Sequence, residues 1–188
     1  MSRRCILVLG GARSGKSRFA QELALKSGEP VLFVATATAG DEEMRRRITE
    51  HRESRPAAWG LLEVTSRVGS QISQKIGGAK VVVLDCVTLL VSNILSQSES
   101  EGETLNGNTE IEERLQAEIG DLADCIKKTD ASFILVSNEV GMGLVPASHL
   151  GRSYRDRLGR VNQELAKLAD EVYVMLAGLP VRIKPPAY

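Results

Sequence analysis

Gly10-Gly11-Ala12-Arg13-Ser14-Gly15-Lys16-Ser17 follows the apolar run Cys5-Ile6-Leu7-Val8-Leu9 and leads into the helix-like stretch Arg18-Phe19-Ala20-Gln21-Glu22-Leu23-Ala24-Leu25. Strand, glycine loop and helix in this order make a phosphate-binding loop. Glycines let the backbone wrap tightly around an anion, and successive N–H groups at the positive end of the following helix point at it. Lys16 is then placed to reach the β- and γ-phosphates and Ser17 to hold Mg²⁺. The plain alternative is a glycine turn that only joins a strand to a helix.

Working outward, further short apolar runs occur at Val31 to Ala35, Val81 to Leu84, Phe133 to Val136 and Val172 to Leu176. Helix-like segments separate most of them, which predicts a mostly parallel sheet buried on both faces. The clearest helix runs from about residue 111 to 128, where Ile111, Leu115, Ile119, Leu122 and Ile126 recur at three- and four-residue spacing. Gly178-Leu179-Pro180 separates the last buried run from Val181-Arg182-Ile183-Lys184 and predicts a terminal hairpin with an antiparallel edge strand. The expected class is therefore α/β, a P-loop NTPase-type three-layer fold in a single domain over 1–188. Ser96 to Asn108 has almost no apolar content and reads as a mobile surface loop.

Composition agrees with an ordinary globular protein. Of 188 residues, 43% are hydrophobic and 26% charged, and 24 basic side chains cancel 24 acidic ones. No global field recommends nucleic acid or an anionic membrane as partner, so anion binding has to be local. Cys5, Cys86 and Cys125 are odd in number and widely spaced, which suits reduced core thiols and a cytoplasmic location. The basic start leads into an apolar run too short for a signal peptide, and no stretch approaches the length of a membrane span.

Val81-Val82-Val83-Leu84-Asp85 ends an apolar run in a carboxylate, the arrangement that puts an Asp at the carboxyl edge of a strand beside a nucleotide, where it can order Mg²⁺. It can equally cap the turn that follows. In Asp41 to Pro56, acids precede bases, as the helix dipole favours, so a solvated surface helix accounts for the charge pattern. Met44, Ile48 and His51 nevertheless fall on one face, and His51 shares the apolar stripe. A neutral imidazole there could attack a phosphoryl group, with Arg52 and Arg55 neutralising phosphate charge. His149 follows Pro146-Ala147-Ser148 near a helix start and reads as structural or surface. No Asp-x-x-Gly or Asn-Lys-x-Asp stands where a switch GTPase needs it, and Leu-Ser-Gly-Gly-Gln is absent. A small kinase or nucleotidyltransferase remains.

Several of these stretches together resemble one family, the bifunctional adenosylcobinamide kinase and adenosylcobinamide-phosphate guanylyltransferase of cobalamin biosynthesis. The resemblance spans nearly the whole chain. It rests on the glycine loop, Ala35-Thr36-Ala37, Arg47-Ile48 with His51 and Arg55-Pro56 through Trp59, and Leu84-Asp85-Cys86-Val87-Thr88. It continues in Ser137-Asn138-Glu139-Val140-Gly141-Met142-Gly143-Leu144-Val145-Pro146 and Gly159-Arg160-Val161-Asn162-Gln163.

What the resemblance implies is a pair of reactions on one substrate. A hydroxyl of adenosylcobinamide is phosphorylated by ATP or GTP; GMP from GTP then passes through a GMP-histidine intermediate, matching His51, to that phosphate. It further implies nucleotide contacts at Gly10, Gly11, Ala12, Arg13, Ser14, Gly15, Lys16, Ser17, Ala35, Thr36, Ala37, Arg52, Glu53, Ser54, Arg55, Glu63 and Asp85. Mg²⁺ would sit at Ser17 and Asp85, and the assembly would be a homotrimer. His51 has to be neutral to attack, and an unperturbed imidazole titrates at about 6.5, so guanylylation should weaken in acid. Two alternatives stay open: a monofunctional P-loop small-molecule kinase, and a nucleotide-binding regulatory protein.

Overall fold

The structure is a computed structural model and describes residues 3–37, 42, 55–100 and 109–185. Its centre is one seven-stranded sheet. In chain order the elements are β1 (Cys5–Gly10), α1 (Lys16–Ser27), β2 (Val31–Ala35), β3 (Gly60–Glu63), α2 (Val68–Lys75), β4 (Val81–Asp85) and α3 (Val87–Ser100). They continue as α4 (Thr109–Lys128), β5 (Ser132–Val136), α5 (His149–Leu168), β6 (Glu171–Leu176) and β7 (Leu179–Lys184).

The strand order is β3-β2-β4-β5-β1-β6-β7, and every pairing is parallel except β6 with β7. The expected strands and the terminal antiparallel hairpin are all present. Strands buried on both faces need apolar side chains at odd and even positions alike. Leu7, Val82, Leu84, Phe133 and Leu135 accordingly pack on one face against Ile72 of α2, Leu90 of α3, Leu115 of α4 and Leu158 of α5. Val8, Val81, Val83, Ile134 and Val136 fill the other face with Ala20 and Ala24 of α1.

Two features differ from the sequence reading. β3 is a strand of four residues at the sheet's edge with exposed Leu61, too short to carry a two-residue alternation. The first five residues of the expected loop at 96–108 are helical instead, because α3 runs on to Ser100. Val87, Leu90, Val91, Ile94 and Leu95 bury a helical stripe, and the Ser, Gln and Glu residues beyond it contain no glycine or proline to stop propagation. Residues 101–108 lie outside the described part.

Candidate active site

The glycine loop sits where β1 hands over to α1, at the carboxyl edge of the sheet. Gly10 has φ of 149°, and a Cβ there would lie 2.7 Å from both the Met175 carbonyl oxygen and Ser14 Oγ. Gly15, at φ of 96°, caps the helix in a left-handed conformation. Arg13 adopts φ of 57°, so the loop turns through positive φ at a residue with a side chain as well. Positive φ at these positions gives the loop the tight turns from which an anion nest is built.

Lys16 is buried, and its Nζ folds back to donate to the Gly11 carbonyl at 2.6 Å. Burial lowers its pKa below the ordinary lysine range, while the negative charges available to Cys86 and Asp85 pull it back up. That coupling places the Asp85 end of β4 beside the phosphate loop even though β5 lies between β4 and β1.

Strand register fixes the rest of the edge. Glu63 pairs with Ala35, Ala35 with Asp85, Asp85 with Val136, and Val136 with Val8, two residues before Gly10. The structure thus brings Gly10 to Ser17, Ala35, Thr36, Ala37, Glu63 and Asp85 to one side of the molecule. Thr36 is buried there: its hydroxyl donates to the Cys86 carbonyl at 2.6 Å and accepts from the Cys86 N–H at 2.9 Å. Asn93 adds a bond to the Thr36 carbonyl at 3.0 Å. Arg55 lies with its guanidinium 4.4 Å from the Phe33 ring centroid, and Trp59 stacks on Phe33 at 6.4 Å. His51, Arg52, Glu53 and Ser54 lie outside the described residues. His149 is the exposed first residue of α5, capped by Ser148, as a surface assignment requires.

Sequence reasoning missed a buried polar network behind this edge. Ser137 Oγ donates to Asn162 Oδ1 at 2.7 Å, and Asn162 Nδ2 donates to the Asn138 carbonyl at 3.0 Å. The Asn138 N–H donates to Thr88 Oγ1 at 2.6 Å, and the Tyr154 hydroxyl to the Thr88 carbonyl at 3.3 Å. One residue on, the Glu139 N–H donates to the Gly10 carbonyl at 2.9 Å, tying this network to the phosphate loop. The stretches around Asn138 and Asn162 were visible as motifs, but their pairing needed the fold.

Ser17 and Asp85 supply a hydroxyl and a carboxylate, hard oxygen donors of the kind Mg²⁺ takes alongside phosphates and water. Among the described residues no cluster of three or more His, Cys, Asp or Glu forms a protein-only metal cage. The donor set fits that ion.

Residues 6–183 match the model of a family described as cobinamide kinase / cobinamide phosphate guanyltransferase. The chain belongs to this family. It is 42% identical to the bifunctional adenosylcobalamin biosynthesis protein CobU of Escherichia coli (strain K12), over 95% of this chain and 99% of that one. It is 40% identical to the bifunctional adenosylcobalamin biosynthesis protein CobP of Pseudomonas aeruginosa, over 95% and 96% respectively. More distant likenesses concern the fold alone. The RadB recombinase superposes with a TM-score of 0.52 at 16% identity, covering 91% of this chain and 73% of that one. The type III secretion ATPase EscN of enteropathogenic E. coli does so with 0.59 at 11%, covering 93% and 43%. This family member therefore has the P-loop NTPase architecture expected of it. No helix among its described residues is long and apolar enough to cross a membrane.

Proposed function

We propose that the chain transfers the γ-phosphoryl group of ATP or GTP to the aminopropanol hydroxyl of adenosylcobinamide. It then transfers GMP from GTP to the new phosphate, giving adenosylcobinamide-GDP and pyrophosphate. The observation that carries this reading is the phosphate loop with buried Lys16 under the field of Asp85, in a chain matched over 6–183 by a family described by both activities. A description naming both activities favours the bifunctional enzyme over a kinase alone or a nucleotide sensor.

In this reading the loop N–H groups from Gly10 to Ser17 hold the phosphates. Lys16 leaves its bond to the Gly11 carbonyl and turns its ammonium to the bridging oxygens, stabilising charge as it builds. Ser17 and Asp85 would hold Mg²⁺, which would neutralise phosphate charge. Thr36, gripping both polar groups of Cys86, keeps the Asp85 turn in register with Ala35 and Ala37. Arg55, Glu63 and the segment Arg52 to Ser54 complete the nucleotide site. For the second reaction His51 attacks the α-phosphorus, pyrophosphate leaves, and the phosphorylated corrinoid then takes GMP from the imidazole. Splitting the transfer into two displacements lets the bulky acceptor arrive after pyrophosphate has gone. The protein works in the cytoplasm, which the three unpaired cysteines fit, and assembles as a homotrimer.

The test is incubation with Mg²⁺ and GTP labelled at the α-phosphate. The expected result is an acid-labile, base-stable protein adduct that disappears in His51→Ala while cobinamide phosphorylation continues. An undiminished adduct in His51→Ala would remove that residue from the mechanism. Failure of the wild type to phosphorylate cobinamide from γ-labelled nucleotide would remove the kinase reading.

A further inference from the structure

Three large apolar side chains stand largely exposed in the segment that leaves the sheet at Glu139, whose N–H donates to Gly10 of the phosphate loop. In the segment linking β5 to α5, Met142 is 84% exposed, Leu144 96% and Val145 66%. Gly141 to Ala147 carries no charged side chain, in a chain where 26% of residues are charged.

The segment is held at both ends. On the sheet side, Asn138 is fixed by Thr88 and Asn162, the Glu139 N–H donates to the Gly10 carbonyl at 2.9 Å, and Glu139 Oε1 accepts from the Gly141 N–H at 2.6 Å. On the helix side, Arg152 Nη1 donates to the carbonyls of Pro146 at 3.0 Å and Ala147 at 2.6 Å. A Cβ on Gly151 would come within 2.7 Å of Pro146, so the start of α5 is packed hard against it. These clamps keep the loop from folding its apolar residues away, so their exposure is built in rather than incidental.

We propose that Met142, Leu144 and Val145 form the platform on which the corrinoid acceptor lies. The inference rests on the function proposed above and assigns the acceptor's binding surface within it. An in-line transfer needs the acceptor hydroxyl against the γ-phosphate, so the surface immediately next to the phosphate loop has to receive the acceptor. A corrinoid is a broad macrocycle with a rim of methyl groups and uncharged amides. It calls for apolar area without compensating charge, and this uncharged loop offers that. A nucleotide, by contrast, would call for the cations and backbone donors of the neighbouring loop. Burial of aliphatic side chains against the macrocycle gives non-directional affinity, and the pinned loop gives it without an ordering cost.

The experiment compares wild type with the triple variant Met142→Ser, Leu144→Ser, Val145→Ser. Cobinamide binding is read by equilibrium dialysis from its visible absorbance, GTP binding by a fluorescent analogue, and assembly by sedimentation velocity. The expected result is a rise in cobinamide Kd of about tenfold or more, with nucleotide affinity and assembly unchanged. Steady-state kinetics should show a higher KM for cobinamide and an unaltered KM for nucleotide. Wild-type cobinamide affinity in the variant overturns the platform while leaving the function intact, and so does a parallel loss of nucleotide affinity. A variant that dissociates into monomers also overturns it, because the patch would then be a contact between copies. A wild type that phosphorylates no cobinamide overturns the function and the platform with it.

Discussion

At the scale of single residues, Lys16 is held in tension between burial and charge. Desolvation favours its neutral form, and the carboxylate of Asp85 favours the ammonium. Its free-protein pKa lies below the ordinary lysine range, and a bound polyanion raises it again. The sign of the pH effect follows. Nucleotide affinity is flat while Lys16 is protonated and falls once pH passes its lowered pKa, earlier than for an unperturbed lysine. Titrating GTP affinity from neutral to alkaline pH should show that early fall, and Lys16→Met should abolish it. The same variant should lose about 10²-fold or more in phosphoryl transfer. It should also unfold at the same temperature as wild type or above it, since it removes a buried charge. A Lys16→Met protein that unfolds earlier would mean that the bond to the Gly11 carbonyl holds the loop together. Cys86 is a contrasting case. Burial, then the charge of Asp85, pushes its thiol up to about 12, so a thiol-alkylating reagent should leave it untouched in the folded protein at neutral pH.

Elements show how much was legible in the chain. The apolar runs and the five-fold recurrence in 111–128 named their strands and helix correctly, since burial on both faces or along one stripe leaves a periodic trace. The glycine loop was equally plain, because positive φ at Gly10 and Gly15 demands glycine. Long-range polar pairings leave no such trace. Glu118 on α4 accepts from the N–H groups of Arg67 and Val68 at 2.7 Å each, and Asp121 accepts from the Ser70 N–H at 2.8 Å and its hydroxyl at 2.6 Å. Two carboxylates from one helix thus satisfy the exposed donors that begin α2, where its own N-cap, Arg67, makes no side-chain bond. In the sequence both acids belonged to the polar side of an amphipathic helix. The crossing is so close that a Cβ on Gly69 would lie 2.2 Å from the Asp121 carbonyl oxygen. Backbone cannot yield as a flexible side chain would. Gly69→Ala should therefore destabilise the fold by about 3 kcal/mol in denaturant titration, despite the better helix propensity of alanine. A stability equal to wild type would show that α2 and α4 can part without cost.

For the whole molecule, the two sides of the terminal strand are unequal. Lys184 reaches across to donate to the carbonyls of Ala166 at 2.9 Å, Lys167 at 3.3 Å and Ala169 at 2.6 Å, closing the carboxyl end of α5. Arg182 lies 3.6 Å from Glu171. The alternate positions Leu179, Val181 and Ile183 are 68%, 45% and 60% exposed, and Leu176 before the turn is 58% exposed. An edge strand left alone in solution is normally guarded by charge on every side. This one is guarded only at Pro180, Arg182 and Lys184, so its other side is suited to a second copy of the chain in the proposed trimer. Val181→Lys with Ile183→Lys should shift sedimentation from trimer toward monomer. Although Val181 is level with Leu9 through Val174, β6 separates β7 from β1, so nucleotide affinity should change less than assembly. A doubly substituted protein that stays fully assembled would move the subunit contact to another surface. If nucleotide affinity collapses with assembly, the phosphate site itself is completed by a neighbouring copy.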